Sequence, residues 1–148
     1  MTIVVQRCSE AKVTINNEII SQIKSGLMLL VGINKGDEFL DADKVVDKII
    51  HLRIFNDEKD KMNLSVLDIN GSVMVVSQFT LCGDTRKGRR PSFINAENPE
   101  KGLEIYDHMV NRFRDKGLNT VTGEFGAMMD IKLVNEGPAT FIINSKEL

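Results

Sequence analysis

The stretch LMLLVGI, residues 27 to 33, is apolar at nearly every position yet far too short to cross a bilayer, so it predicts a strand buried on both faces where the core begins. Such a strand needs cover on each side. Between Asp37 and about Leu52, the residues Leu40, Val45, Val46, Ile49 and Ile50 recur at helical spacing, with Asp41, Asp43, Lys44, Asp47 and Lys48 on the remaining face. A second helix opens with Asn98 as N-cap and Pro99 as first helical residue, carries the stripe Leu103, Tyr106, Val110 and Phe113, and stops at Gly117. TIVVQR reads as a strand, KVTI and EIISQI as a hairpin about Asn16-Asn17, and Asn70-Gly71 in SVLDINGSVMVVSQFTL as a second hairpin turn. The chain closes with the strands MMDIKLV and TFIIN on either side of a Gly-Pro element. The expected architecture is α+β: a curved, largely antiparallel, barrel-like sheet with two main helices, forming one domain over residues 1–148.

With 42% hydrophobic and 27% charged residues the chain is globular rather than disordered. Its N-terminus lacks the cationic and long apolar regions of an export signal, so a soluble cytoplasmic protein with no membrane partner is expected. Cys8 and Cys82 are too few for a disulfide framework and have no metal-ligand spacing. A net charge of −2 argues against wholesale nucleic-acid coating but leaves room for a local basic patch. Trp is absent and there is one Tyr, so no aromatic stacking platform for single-stranded RNA is visible. His51 and His108 lie on predicted helices with no nucleophile or metal pattern around them, which makes them structural or surface histidines. There is no G-x-S-x-G, P-loop or H-E-x-x-H motif. No metal and no cofactor is expected.

Two segments break strand chemistry by placing polar residues at the end of an apolar run. SQFTL (77–81) offers the hydroxyls of Ser77 and Thr80, the amide of Gln78 and the flat surface of Phe79, at a strand end where backbone N–H groups can face a ligand. NEGPAT (135–140) contains Gly137 and Pro138, each of which weakens a β-ladder. On periodicity alone both are strands ending in turns.

SQFTL followed by N-x-G-P-x-T near the C-terminus, with QR near the start, RIF-x-D and KMN before SQFTL and RPSF after it, resembles the D-aminoacyl-tRNA deacylases over essentially the whole chain. The combination of the two motifs is specific; either alone is weak. One departure is Ala139, where the family usually has Val.

That resemblance implies a D-aminoacyl-tRNA deacylase-like fold and a homodimer in which a cis Gly137–Pro138 element of one subunit reaches into its partner's active site. The implied substrate is a D-amino acid esterified to the terminal ribose of tRNA. Main-chain oxygens of Gly137 and Pro138 would reject the L enantiomer by clash, and a glycyl ester, having no side chain, would be admitted. Backbone N–H groups around Phe79 and Thr80 would stabilise the oxyanion, while Ser77 and Gln78 complete the catalytic segment and Gln78 shapes the adenosine or ester pocket. Arg7 would fix the orientation of the loop carrying Gly137, Pro138 and Thr140. Arg86, Lys87, Arg89 and Arg90 are candidates for tRNA phosphate contact, with a solvated loop as the plain alternative. Two rival chemistries make Thr80 or Cys82 a covalent nucleophile, and a rival class is a non-catalytic tRNA-binding module associated with translation.

Overall fold

The computed structural model describes all residues 1–148. Strand β1 (Thr2–Ile15) turns into β2 (Glu18–Ile23) through Asn16 and Asn17, whose φ values of 50° and 68° are those a tight hairpin needs. There follow β3 (Gly26–Gly32), helix α1 (Phe39–Ile50), the short strands β4 (Phe55–Asn56) and β5 (Met62–Leu64), β6 (Ser72–Ser77), helix α2 (Pro99–Asp115), β7 (Asn119–Thr122) and β8 (Asp130–Asn144). The Asn98 side chain accepts from the Lys101 N–H at 3.0 Å, and Gly117, at φ 81°, follows the last turn of α2.

The sheet runs β2-β1-β3-β6-β7, with β8 on β1. β1 is antiparallel to β2, β3 and β8, whereas β3–β6 and β6–β7 are parallel. β1 pairs with β8 along both halves but with β3 over Thr2–Cys8 and with β2 over Ala11–Ile15, so the sheet curls into a nearly closed, barrel-like shape. That curl supplies β3 with its second cover. Leu27, Leu29 and Val31 pack with Val45, Val46, Ile49, Met109 and Phe113 of the helices, while Met28 packs inside the curl with Cys8, Val13, Met74 and Val76. No helix is long and apolar enough to cross a membrane.

Three expectations are corrected. Asn70-Gly71 does not join a hairpin: the Ser65 N–H and hydroxyl both donate to Asp68 Oδ2 (2.8 and 2.7 Å) and the Asp68 N–H returns to Ser65 Oγ at 3.2 Å. This Ser-x-x-Asp capping box winds residues 65–70 into a turn, and Gly71 N–H closes it on Val66 O at 2.9 Å. β6 then enters the sheet beside β3. Leu40, 63% exposed, and Leu103 point outward; Tyr106, Val110 and Phe113 are buried as their spacing predicts, and Ile105 and Met109 complete the buried face of α2 in place of Leu103. Finally, MMDIKLV and TFIIN are not two strands. From Asp130 onward they are one, β8, and the Gly-Pro element is a bulge within it.

Candidate active site

The parallel register that sets Val31 of β3 opposite Ser77 brings β6 to its end beside Gly32. Gln78 N–H donates to Val31 O at 2.7 Å, and the chain then turns into a single 3₁₀ turn, Phe79–Cys82, closed by Leu81 N–H to Gln78 O (3.1 Å) and Gly83 N–H to Thr80 O (3.0 Å). The leading N–H groups of a helical turn have no acceptor within it, and here they belong to Phe79 and Thr80. The Gln78 amide donates to Thr80 Oγ1. Gly32 permits this approach, because a Cβ there would lie 2.8 Å from Leu81 Cβ and 3.2 Å from Gln78 O.

A cavity of about 500 Å³ opens at this point, lined by Ser77, Gln78 and Phe79 together with Glu97, Phe125, Met129 and Ile131 among others. Apart from Ser77, Gln78 and Phe79, nothing in the sequence marks these residues as parts of a site. Glu97 was legible only as the residue before an N-cap. The Phe125 and Met129 positions depend on how the loop after β7 folds, which no local pattern reports. Glu97 is the one ionisable residue of the lining, and its carboxylate is held below the usual range chiefly by the Asn98 N–H at 2.9 Å, with further help from Gly36 N–H and Lys101. It is therefore a poor base.

Gly137, Pro138, Arg7 and Thr140 do not line the cavity of their own chain. The Gly137–Pro138 peptide bond is cis. Gln6 pairs with Thr140 and Cys8 with Asn135, so residues 136 to 139 all stand opposite Arg7 alone. The chain there must loop out. Pro138 and Gly137 are exposed at its crest, while Ala139 beneath is buried. Arg7 is only 2% exposed and fills the base of the bulge: Nε donates to Glu136 O (3.0 Å), Nη2 approaches Gly137 O (3.5 Å), and Nη1 donates to Ile54 O (2.6 Å) and Asn56 Oδ1 (3.3 Å). The short β4–β5 hairpin thus anchors the guanidinium from behind. A carbonyl oxygen has two lone pairs, so Gly137 O keeps accepting capacity beyond its contact with Arg7.

Arg86, Lys87, Arg89 and Arg90 are exposed on a loop whose base is closed by the reciprocal bonds of Asp84 and Ser92 (2.8 and 2.9 Å). Arg86 forks onto Asp84 at 2.9 and 2.6 Å, which pulls the Asp84 carboxyl down to about 2. Lys87, Arg89 and Arg90 have no ion-pair partner. Cys82 is buried and its thiol donates to Ile33 O, and burial raises its pKa, which is the reverse of what a thiolate nucleophile requires. His51 bonds Asp47 O within its own helix end, and His108 joins Asp43 and Phe39; neither reaches the cavity.

The family model described as D-Tyr-tRNA(Tyr) deacylase matches residues 4–144. The chain belongs to that deacylase family. Proteins named D-aminoacyl-tRNA deacylase from Geobacillus sp. (strain WCH70) and Clostridioides difficile (strain 630) are 54% and 50% identical over 147 residues, each alignment covering 99% of this chain and at least 97% of the relative. Among solved structures, the c-Myc DNA unwinding element binding protein superposes with a TM-score of 0.91 at 36% identity, covering 97% of this chain and 98% of that one. A probable eukaryotic D-amino acid tRNA deacylase shares the fold at a TM-score of 0.77 and 19% identity, over 97% of this chain and all of that one.

Proposed function

We propose that this deacylase, acting as one catalytic unit over residues 1–148, hydrolyses the ester of D-aminoacyl-tRNA in the cytoplasm, releasing tRNA and the D-amino acid and refusing the L-aminoacyl ester. The observation that carries the reading is the pairing of an apolar cavity edged by Ser77, Gln78 and Phe79 with a guanidinium-clamped bulge whose crest, Gly137 and Pro138, is exposed. The terminal adenosine and its ester occupy the cavity. The N–H groups of Phe79 and Thr80 receive the oxyanion, and a water attacks the ester carbonyl, which is already activated. A lining without a strong base fits that division of labour.

Because the bulge lies outside the cavity of its own chain, the carbonyls of Gly137 and Pro138 act on the cavity of a second copy, with Thr140 beside them. Two features support a homodimer: β8 pairs only with β1, leaving its outer edge free, and Ile142 on it is 75% exposed. Carbonyl oxygens at that wall crowd any L side chain while leaving D side chains to project outward. Glycyl-tRNA passes for lack of a side chain.

Thr80 positions rather than attacks, since its hydroxyl already accepts from the Gln78 amide and no base adjoins it. Thr80→Ala is therefore expected to hydrolyse D-aminoacyl-tRNA with a partial loss of about 10²- to 10³-fold at most, the size of one lost polar contact at an oxyanion site. Single-turnover kinetics with an acid quench check this: abolished hydrolysis in the variant, with an acyl-enzyme trapped in the wild type, makes Thr80 the nucleophile instead. Absence of hydrolysis in the wild type leaves the non-catalytic tRNA-binding reading standing.

Lys87, Arg89 and Arg90 contact phosphates of the acceptor arm. Neutralising Arg89 and Arg90 together is expected to reduce the slope of log affinity against log salt by about 1.5, since each phosphate contact contributes roughly 0.7 to 0.9. Arg86→Gln is expected to change the slope less, because Asp84 already holds that guanidinium. An unchanged slope in the double variant, measured by filter binding of tRNA across salt concentrations, returns the loop to plain solvation.

A further inference from the structure

The sequence shows no stacking platform for RNA, yet the fold assembles two of its phenylalanines at the cavity mouth. Phe79 lines the cavity and is nevertheless 59% exposed. Phe93, from the far side of the cationic loop, stands 5.1 Å from it between ring centroids at an interplanar angle of 68°, and Ile94 beside it is exposed. The Phe93 ring is seated against the chain: a Cβ on Gly83 would lie 2.9 Å from its Cε1, so the ring rests directly on backbone. The 3₁₀ turn thus supports both rings, and the bonds between Asp84 and Ser92 fix where the loop returns. Three unpaired cations, Lys87, Arg89 and Arg90, are carried on the segment immediately before Phe93.

A partly exposed aromatic pair continuous with a nucleoside-sized cavity and flanked by unpaired cations has the chemistry of a single-stranded nucleotide: π-faces for a base, positive charge for its phosphate. An apolar peptide would leave the cations unanswered. We propose that Phe93, with the outer face of Phe79, stacks the nucleobase immediately 5′ of the terminal adenosine, a subsite separate from the ester pocket. The inference rests on the deacylase reading above. Phe93 touches neither the ester nor the oxyanion site; its contribution is to hold the acceptor end in line with the cavity. Stacking of this kind is indifferent to which base is present, so a shared 3′ sequence is not read but used as a handle.

The test uses D-aminoacyl esters of adenosine, of the dinucleotide CpA, and of a dinucleotide whose 5′ residue is abasic. With the wild-type protein, kcat/KM is expected to rise on the order of tenfold from the adenosine ester to the CpA ester, the scale of one base–aromatic stack, and to fall back for the abasic dinucleotide. Phe93→Leu keeps bulk against Gly83 and Phe79 but loses the π-face. It is expected to bring the CpA and adenosine esters within about twofold of each other with the adenosine ester unchanged, whereas Phe93→Tyr retains the rise. The abasic arm needs no variant and so stands whether or not Phe93→Leu folds. Equal rates for abasic and CpA esters, or a rise that persists in a folded Phe93→Leu protein, overturn the subsite and leave the deacylase reading intact. Failure to hydrolyse any ester, intact D-aminoacyl-tRNA included, overturns both.

Discussion

Arg7→Met is expected to lower the stability of the protein and, separately, to abolish its preference for D-aminoacyl esters. The guanidinium is buried and serves acceptors from two parts of the chain: Ile54 O and Asn56 Oδ1 behind it, Glu136 O and Gly137 O in front. Methionine keeps the unbranched apolar stem but stops short of the guanidinium and donates nothing, so Ile54 O and Glu136 O lose their charged donor inside the protein. A buried acceptor left unpaired costs about 1 to 3 kcal/mol, which puts the loss on the order of 3 kcal/mol. For a chain of this size that corresponds to a melting temperature lower by roughly 6 to 12 °C, by calorimetry. Below that temperature residues 136 to 139 have lost their internal tether. The carbonyl wall is then free to shift by the ångström or so that typically changes rates by about 10²-fold. Hydrolysis of D-aminoacyl-tRNA falls by that order and the ratio of D to L rates collapses. Arg7→Lys is expected to lie between, because an ammonium cannot span the oxygens a planar fork reaches. A folded Arg7→Met protein with undiminished D over L discrimination removes Arg7 from the account.

Gly32→Ala has the second large effect, and for a different reason. The new methyl falls 2.8 Å from Leu81 Cβ and 3.2 Å from Cys82 Sγ and Gln78 O, all atoms of the turn that carries Phe79 and Thr80. Neither β3, paired on both sides, nor the turn can yield without moving the other. Overpacking of this sort destabilises by about 1 to 3 kcal/mol. The turn is the less restrained partner, so the N–H groups of Phe79 and Thr80 swing away from the reacting carbonyl. The expected kinetic signature is a fall in kcat on the order of 10²-fold with D-aminoacyl-tRNA binding little changed, measured by single-turnover rates and filter binding. A Gly32→Ala protein with wild-type kcat contradicts the placement of the oxyanion site at this turn.

What the sequence revealed and what it withheld divide along the range of the interactions. The strand Gly26–Gly32, the hairpin at Asn16-Asn17 and the start of α2 at Asn98-Pro99 each follow from residues close together in the chain, and each is where the pattern puts it. The failures have equally local causes: at Ser65–Asn70 side-chain bonds between Ser65 and Asp68 override a β-rich composition, and at Leu103 two overlapping apolar rows compete for the inner face of one helix. The continuity of β8 across Gly137-Pro138 was not legible, since it depends on fourteen-residue β1 holding both halves in line. The site shows the same division. SQFT and the Gly-Pro element announce themselves by breaking strand chemistry, and their meaning came from family resemblance rather than from the residues. Glu97, Phe125 and Met129 reach the cavity, and Phe93 its mouth, only because the chain folds, as does the service of Ile54 and Asn56 to Arg7.

The claim on which the account turns is that main-chain carbonyls at residues 137 and 138, held by a buried arginine, sort esters by handedness. The measurement that bears on it most directly is the initial rate of deacylation of one tRNA charged with D-tyrosine, with L-tyrosine and with glycine, at equal enzyme concentration. Rapid loss of D-tyrosine, measurable loss of glycine and retention of L-tyrosine are expected. Hydrolysis of both tyrosine enantiomers at similar rates, or of the L ester while the glycyl ester survives, contradicts that claim.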